Sequence, residues 1–212
     1  MISTNPTPGT RERLITAMLD ALQRRGLHGV GLNELLTQAN APKGVLYHHF
    51  PKGKTELAVA AIDTAIAKLN LGLDQMTMAQ ADPVQVLQLW MASAQKQLAK
   101  SDFERGCPLA TVALESGMQD TAIREALKLG FLDIRTRLAS MLTAAGLPES
   151  KASQLAALIV AAYEGALIQS RVAGSVLPMA DVTASLIRLV QFELQSNANQ
   201  ITTELNPPDL KP

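Results

Sequence analysis

The 212-residue chain has little of what disulfide frameworks, strand-rich folds and membrane spans require. Its single cysteine, Cys107, excludes an internal disulfide framework and a cysteine-rich zinc site, and it fits a reducing compartment. No apolar run reaches the roughly 18 residues of a membrane span. The N-terminus lacks the basic-then-apolar layout of a secretory signal. We therefore expect a cytoplasmic protein without a membrane partner.

Aromatic residues are also scarce, at 3% of the chain, so the 47% of apolar residues are mainly Ala, Leu, Val, Ile and Met. Ala, Leu and Met favour helices, whereas aromatic residues favour strands. Apolar residues recur at helical spacing between breaks, and no strand pattern stands out. The sequence therefore predicts an all-α protein of about nine helices. They span about 10–26, 32–39, 43–49, 54–79, 83–98, 108–115, 120–145, 149–173 and 179–196.

The formal net charge is zero, but the charge is unevenly distributed. Residues 1–56 hold seven Lys and Arg against four Asp and Glu, a net +3, and the remainder holds 12 against 15, a net −3. All three histidines, His28, His48 and His49, lie in the basic part. A basic head on a mildly acidic body is compatible with a surface that faces phosphates, although chance also produces such a split.

The two short helices at 32–39 and 43–49 suggest a helix-turn-helix, because the break Asn40-Ala41-Pro42 is only three residues long. Asn tolerates the left-handed conformation, and Pro suits a helix start. The later helix would then enter a major groove with its first turns. The alternative is a plain helical hairpin with a solvated basic edge, in which Leu46 and Phe50 face inward just as they do in a DNA-binding unit.

The segment Lys43–Phe50, which reads KGVLYHHF, and the following Lys54–Leu57 together resemble the DNA-binding signature of TetR-type transcriptional repressors. The resemblance covers roughly residues 10–60. The stretch Gly106–Leu109 (GCPL) and the spacing Phe50-Pro51-x-Gly53-Lys54 resemble the subgroup of the lincomycin-resistance repressor. The resemblance implies a homodimer that binds a palindromic operator and is released by a small molecule. It implies a DNA-binding domain at 1–56, an effector-binding and dimerisation domain at 57–197, and a flexible tail at 198–212.

The candidate DNA contacts divide by chemistry. A lysine at the helix start can reach a phosphate or a guanine edge, a glycine permits close approach, and valine methyls can meet a thymine methyl. Tyrosine and histidine can bind phosphates, and lysines flank the next helix start. The family usually has Thr or Ser where Gly31 caps the second helix, and often Thr at position 45. The candidates are Gly31, Lys43, Gly44, Val45, Tyr47, His48, Lys52 and Lys54.

The body offers a few aromatic and soft side chains that would suit a pocket for a small apolar or aromatic effector. The alternative for each of them is ordinary core. Trp90 and Tyr163 are the stronger candidates, because each carries a polar group that needs a partner. The pocket candidates are Trp90, Met91, Phe103, Cys107, Met118, Phe131 and Tyr163.

The segment Leu155–Ala166, which reads LAALIVAAYEGA, is apolar nearly all round and must be buried on several faces. With the last helix it would build a four-helix interface across a two-fold axis. The alternative is a core helix of a monomer, and the family resemblance favours the dimer. The interface candidates are Ala157, Val160, Ala161, Glu164, Ile187 and Val190.

Enzyme signatures are missing, so we predict no enzyme, no cofactor and no metal site. Gly53-Lys54-Thr55 imitates the end of a phosphate-binding loop, but that loop needs a glycine where His48 stands. Neither HExxH nor GxSxG occurs. A second hypothesis is a helical dimer that binds a ligand or a protein without specific DNA binding. It predicts that changing Lys43 or Tyr47 leaves function intact.

Overall fold

The computed structural model describes residues 9–80 and 82–205, and every regular element in these two ranges is an α-helix. The predicted all-α fold is confirmed. The helices of the described ranges are α1 (Thr10–Arg25), α2 (Leu32–Gln38), α3 (Val45–His49), α4 (Lys54–Ala79), α5 (Pro83–Lys100), α6 (Pro108–Glu115), α7 (Thr121–Ala144), α8 (Glu149–Ala173) and α9 (Leu177–Leu205).

The helices form two compact units, and neither is one continuous stretch of chain. Of the described residues, unit 1 comprises those in 9–68 and 104–131, and unit 2 comprises those in 69–103 and 132–205. The long helices α4 and α7 each contribute residues to both units. The predicted division at residue 56 is a functional one and stays a prediction.

The core of unit 1 is built around α1, which packs against α2 and α6. Apolar side chains recur along α1 with helical spacing, so that one stripe faces the core. Three of them, Leu14, Met18 and Leu22, have no exposed surface. Leu46 and Phe50 are buried as well, which confirms the inward orientation that was predicted for both.

In unit 2 the helices α5, α8 and α9 pack against one another. Helix α5 begins as a capped helix should, because the Asp82 carboxylate accepts a hydrogen bond from Val84 N–H at 2.9 Å and Pro83 follows the cap. Helix α8 ends at Gly174, whose φ of +58° is left-handed.

The first part of the flexible tail predicted at 198–212 is helical instead, because α9 continues to Leu205. The Asn and Thr residues that suggested a loop cost a helix only a fraction of a kcal/mol each. Asn197 offsets this cost, since its side chain is buried and donates to the Gly146 carbonyl at 2.8 Å. The last part of the predicted tail, 206–212, lies outside the described residues.

Within the described part of the chain, one helix is long and apolar enough to pass a test for a membrane span, namely α8. The expectation that no segment reaches membrane length rested on uninterrupted apolar runs, whereas α8 qualifies through its mean hydropathy. One such helix is weak evidence for a membrane span, because a core helix of a soluble protein passes the same test.

Candidate nucleic-acid interface

Helices α2 and α3 are joined by a turn with the conformation that the sequence predicts. Asn40 has a φ of +47°, which confirms the left-handed residue expected there. Ala41 N–H reaches back to the Leu36 carbonyl at 2.9 Å, so the turn closes the end of α2. The two helices are thereby held as a compact helix-turn-helix.

One side of α3 is left free for a ligand. Lys43, Gly44 and His48 are exposed, and Tyr47 retains 59% of its surface. Val45 is half-buried, while Leu46 on the opposite side is fully buried. Lys52, just beyond α3, is also exposed. The candidate DNA contacts at these positions are therefore accessible, and their role stays a prediction.

Lys54 does not fit the predicted role of a phosphate contact. Its ammonium donates to the carbonyls of Leu27 and Val30, both at 2.6 Å. Burial lowers the pKa of the Lys54 ammonium, although the charge of Glu115 opposes this shift. Two of its three N–H groups are therefore used inside unit 1. We correct its role to holding the loop between α1 and α2.

Glu115, at the end of α6, holds the same loop by binding the backbone amides of the loop. Its carboxylate accepts from Leu27 N–H at 2.5 Å and from His28 N–H at 3.3 Å. A Cβ at Gly26 would collide with this carboxylate, and Gly26 also has a φ of +75°. Lys54 and Glu115, hereafter the loop clamp, thus bind carbonyls and amides of one short segment. Sequence reasoning missed Glu115, because nothing distinguishes it from a surface acid.

Asp20, on α1, holds α2 against α1 through a hydrogen bond with Gln38 at the end of α2. Its carboxylate accepts from Arg24 Nε at 3.3 Å and from Gln38 Nε2 at 3.2 Å, and it forms an ion pair with Arg105. Burial alone would raise the pKa of the Asp20 carboxyl. The hydrogen bond from Gln38 and the charges of Arg105 and Arg24 outweigh burial, so the pKa lies below its ordinary value.

Gly31 stands at the N-cap of α2 and offers no side-chain cap. Its φ of −84° suits any residue, and a Cβ there would meet nothing within 4 Å. We expect Gly31→Ser to raise the free energy of unfolding by a few tenths of a kcal/mol, because a hydroxyl would accept from a free N–H of the first turn. Urea unfolding measures the gain, and Gly31→Ala is the control. An equal gain in both variants would contradict a capping effect.

The sequence matches two family descriptions. Residues 14–61 match the family of bacterial regulatory proteins called tetR, and residues 83–185 match the C-terminal domain of LmrA/YxaF-like transcriptional regulators. The HTH-type transcriptional regulator YxaF of Bacillus subtilis is 32% identical over 162 residues, which cover 76% of this chain and 84% of that protein. The chain belongs to the TetR family.

Other relatives of this TetR-family regulator agree with that membership. The regulator LmrA of Bacillus subtilis is 26% identical over 86% of this chain and 97% of its own length. The crystal structure of the regulatory protein TetR from Rhodobacter sphaeroides superposes with a TM-score of 0.77 at 26% identity, over 84% of this chain and 97% of that one. The matched head is a DNA-binding helix-turn-helix, and the prediction that the chain is not an enzyme is confirmed.

The predicted effector residues of the TetR-family regulator fall into both units. Trp90, Met91, Phe103 and Tyr163 belong to unit 2, whereas Cys107, Met118 and Phe131 belong to unit 1. The rings of Trp90 and Tyr163 stack with centroids 4.3 Å apart and planes inclined by 14°. These two and Met91 are buried. Cys107 is buried too, and Phe103 and Phe131 are half-buried. Met118 is a correction, because it is exposed and lines no interior surface.

The predicted dimer residues of the regulator separate by exposure. Val190 has no exposed surface and Val160 is buried, so both belong to the core of unit 2 rather than to an interface. Ala157, Glu164 and Ile187 are half-buried, and Ala161 is exposed. Periodicity could not separate core from surface positions on α8, because its segment Leu155–Ala166 is apolar nearly all round. Large apolar side chains that do remain exposed on α8 and α9 are Leu158, Ile168, Val172, Leu177 and Phe192.

Proposed function

We propose that this TetR-family chain is a repressor that binds a palindromic operator as a homodimer and is released by a small apolar or aromatic molecule. The observation that carries the proposal is the exposed side of α3, where Lys43, Gly44 and Tyr47 stand free beside the buried Leu46. A short helix preceded directly by a lysine and a glycine fits a major groove. Family membership supports the dimer and the release.

The division of labour follows from exposure and chemistry. Lys43, Gly44 and Val45 approach base edges, since Lys43 and Gly44 lie in the turn just before α3 and Val45 is its first residue. Tyr47, His48 and Lys52 bind phosphates, while Gly31 leaves backbone N–H groups of α2 open toward the DNA. Lys54 is not included among the phosphate contacts, because its ammonium binds the Leu27 and Val30 carbonyls as part of the loop clamp.

The homodimer forms through an exposed apolar stripe on α8. Leu158, Ala161, Ile168 and Val172 follow one another at spacings of three, seven and four residues, which places them on one side of the helix. Gly165 lies between them and lets a second helix approach closely. Phe192 on α9 adds a large exposed ring. Exposed apolar surface of this kind marks an interaction site.

The effector binds in the body, with the Trp90–Tyr163 pair as its recognition element. Both rings are buried and stack on each other, so a flat ligand would extend the stack on an outer face of the pair. The indole N–H of Trp90 is a donor that suits a ligand oxygen. Binding shifts the regulator to a conformation with lower operator affinity.

Selection of bound sequences from a random duplex pool, at two salt concentrations, tests the proposal. We expect an enriched palindrome with half-site centres about one helical turn apart. Weak, salt-sensitive binding without enrichment, repeated after unfolding and refolding to remove a co-purified effector, would contradict it. The selected operator then serves to screen flat aromatic compounds for release.

Lys43→Ala should weaken binding to the selected operator by about 1–3 kcal/mol and relax the preference at one base position. Lys52→Ala should instead weaken binding to all sequences alike and reduce the salt slope by about one unit. Titrations of operator and scrambled duplex over a range of salt separate the two effects. Lys128→Ala, at an exposed position of α7, is the matched control and should change neither. Identical effects of Lys43→Ala and Lys52→Ala on every sequence would contradict the division into base and phosphate contacts.

A further inference from the structure

The first turn of α1 holds the turn that leads into α3. Arg13 Nε donates to the Ala39 carbonyl at 2.9 Å, and Arg13 Nη2 approaches the Asn40 carbonyl at 3.4 Å. Nη2 also donates to Thr10 Oγ1 at 3.2 Å, which orients the guanidinium from its own helix. One side chain thus binds two successive carbonyls of the turn.

The same turn of α1 also contacts the far end of α3. The Arg11 guanidinium carbon lies 5.3 Å from the centroid of the Phe50 ring, a cation–π distance. Phe50 directly follows α3, is buried, and donates its N–H to the Leu46 carbonyl at 2.7 Å. Two arginines two positions apart therefore contact the segments that precede and follow α3.

The turn at Asn40 determines the direction of α3, because its backbone angles set how the chain leaves α2. The left-handed φ of +47° at Asn40, a non-glycine residue, costs free energy, and contacts from the surrounding structure must offset this cost. Arg13 supplies such a restraint. A guanidinium is a rigid planar fork with several N–H groups, so binding both carbonyls fixes two peptide planes together. A lysine ammonium has no such fork.

We propose that Arg13 is a positioning residue for DNA recognition, which sets the angle of α3 in the major groove through the Ala39 and Asn40 carbonyls. It acts on sequence discrimination without binding a phosphate. The inference rests on the proposed role of α3 as the element that reads bases.

Arg13→Lys tests this role in the full-length protein. We expect the ratio of affinities for the selected operator and a scrambled duplex to fall by about tenfold, the discrimination of roughly one base pair. Affinity for the scrambled duplex and the salt slope should stay unchanged, because no phosphate contact is lost. Arg24→Lys is the matched control: it lies on the same helix but pairs with Asp20 and Glu104, and it should preserve the ratio.

Asn40→Gly supplies a second variant that keeps the left-handed angle accessible while loosening the turn. It should also lower the ratio. The double variant should lose less than the sum of both single losses, because Arg13 and Asn40 act on one structural element. Thermal unfolding of every variant gives the temperature below which all of them are folded.

Three results would overturn the inference. An unchanged ratio in folded Arg13→Lys means that the fork does not position α3. A loss shared equally by operator and scrambled duplex, with a smaller salt slope, means that Arg13 binds a phosphate. Full additivity with Asn40→Gly removes the link to the turn. If the unmodified protein itself fails to distinguish operator from scrambled duplex, the proposed function fails instead, so the two failures are separable.

Discussion

Replacing Ile168 by glutamate should convert the proposed dimer to a monomer and lower its affinity for the proposed palindromic operator by about a hundredfold or more, because a single head binds without the avidity of two. Ile168 lies on the exposed stripe of α8 and keeps 47% of its surface within the chain. A carboxylate there would be buried without a partner at a two-fold interface, where both copies carry it. Light scattering of the eluted protein measures the mass, and titration of a full and a half operator measures affinity.

The matched control for the interface is Leu71→Glu. Leu71 is likewise a large apolar residue that stays exposed, but it lies on α4. We expect this variant to remain dimeric and to bind the operator normally. If Ile168→Glu stays dimeric at micromolar concentration, the interface lies elsewhere on the chain. If it becomes a monomer and binds the full operator unchanged, then DNA binding does not need two subunits.

Removing the Glu115 side chain should cost about 2–3 kcal/mol of unfolding free energy, because two backbone N–H groups lose a charged acceptor. The amides of Leu27 and His28 would be left without that acceptor, and Lys54 without its nearby opposite charge. Glu115→Gln should cost less than Glu115→Ala, since an amide oxygen still accepts hydrogen bonds. Urea unfolding measures both.

The control for the clamp is Glu125→Ala. Glu125 is exposed and pairs with Lys128 one turn away, an arrangement worth only a few tenths of a kcal/mol. A loss of the same small size for Glu115→Ala would mean that the loop between α1 and α2 holds its conformation without the clamp. Equal effects of the Gln and Ala variants would argue against hydrogen bonding as the cause.

Local patterns sufficed for the head of the protein. The helical spacing of Leu32, Leu35 and Leu36, the break at Asn40 and the KGVLYHHF segment predicted two helices, a left-handed turn and two inward-facing apolar side chains. All of these depend on residues near one another in the chain, where periodicity and backbone preferences act. The stack of Trp90 on Tyr163 joined two candidates that residue type alone had selected.

Contacts between residues far apart in the chain could not be predicted from such local patterns. Glu115 binds the amide of Leu27 from 88 positions away, and the binding of Lys54 to two carbonyls depends on where the loop of 27–30 folds back. A lysine beside a helix start is predicted to bind a phosphate when the position of that loop is unknown. Similarly, the segment Leu155–Ala166 of α8 is apolar nearly all round, so no periodicity could assign Val160 to the core and Ala161 to the surface.

The discontinuity of unit 1 has a consequence for building chimeric regulators. An exchange of DNA-binding heads between relatives works most simply when the head is one continuous segment at the start of the chain. Here unit 1 also contains residues 104–131, which supply Glu115 and the Gly106 N–H that binds the Gln23 carbonyl at 2.9 Å. A graft cut after α3 would leave these partners behind in the donor. To transfer DNA specificity, a graft must therefore include both segments of unit 1. Otherwise the α6 of the recipient must provide an acidic residue at the position of Glu115.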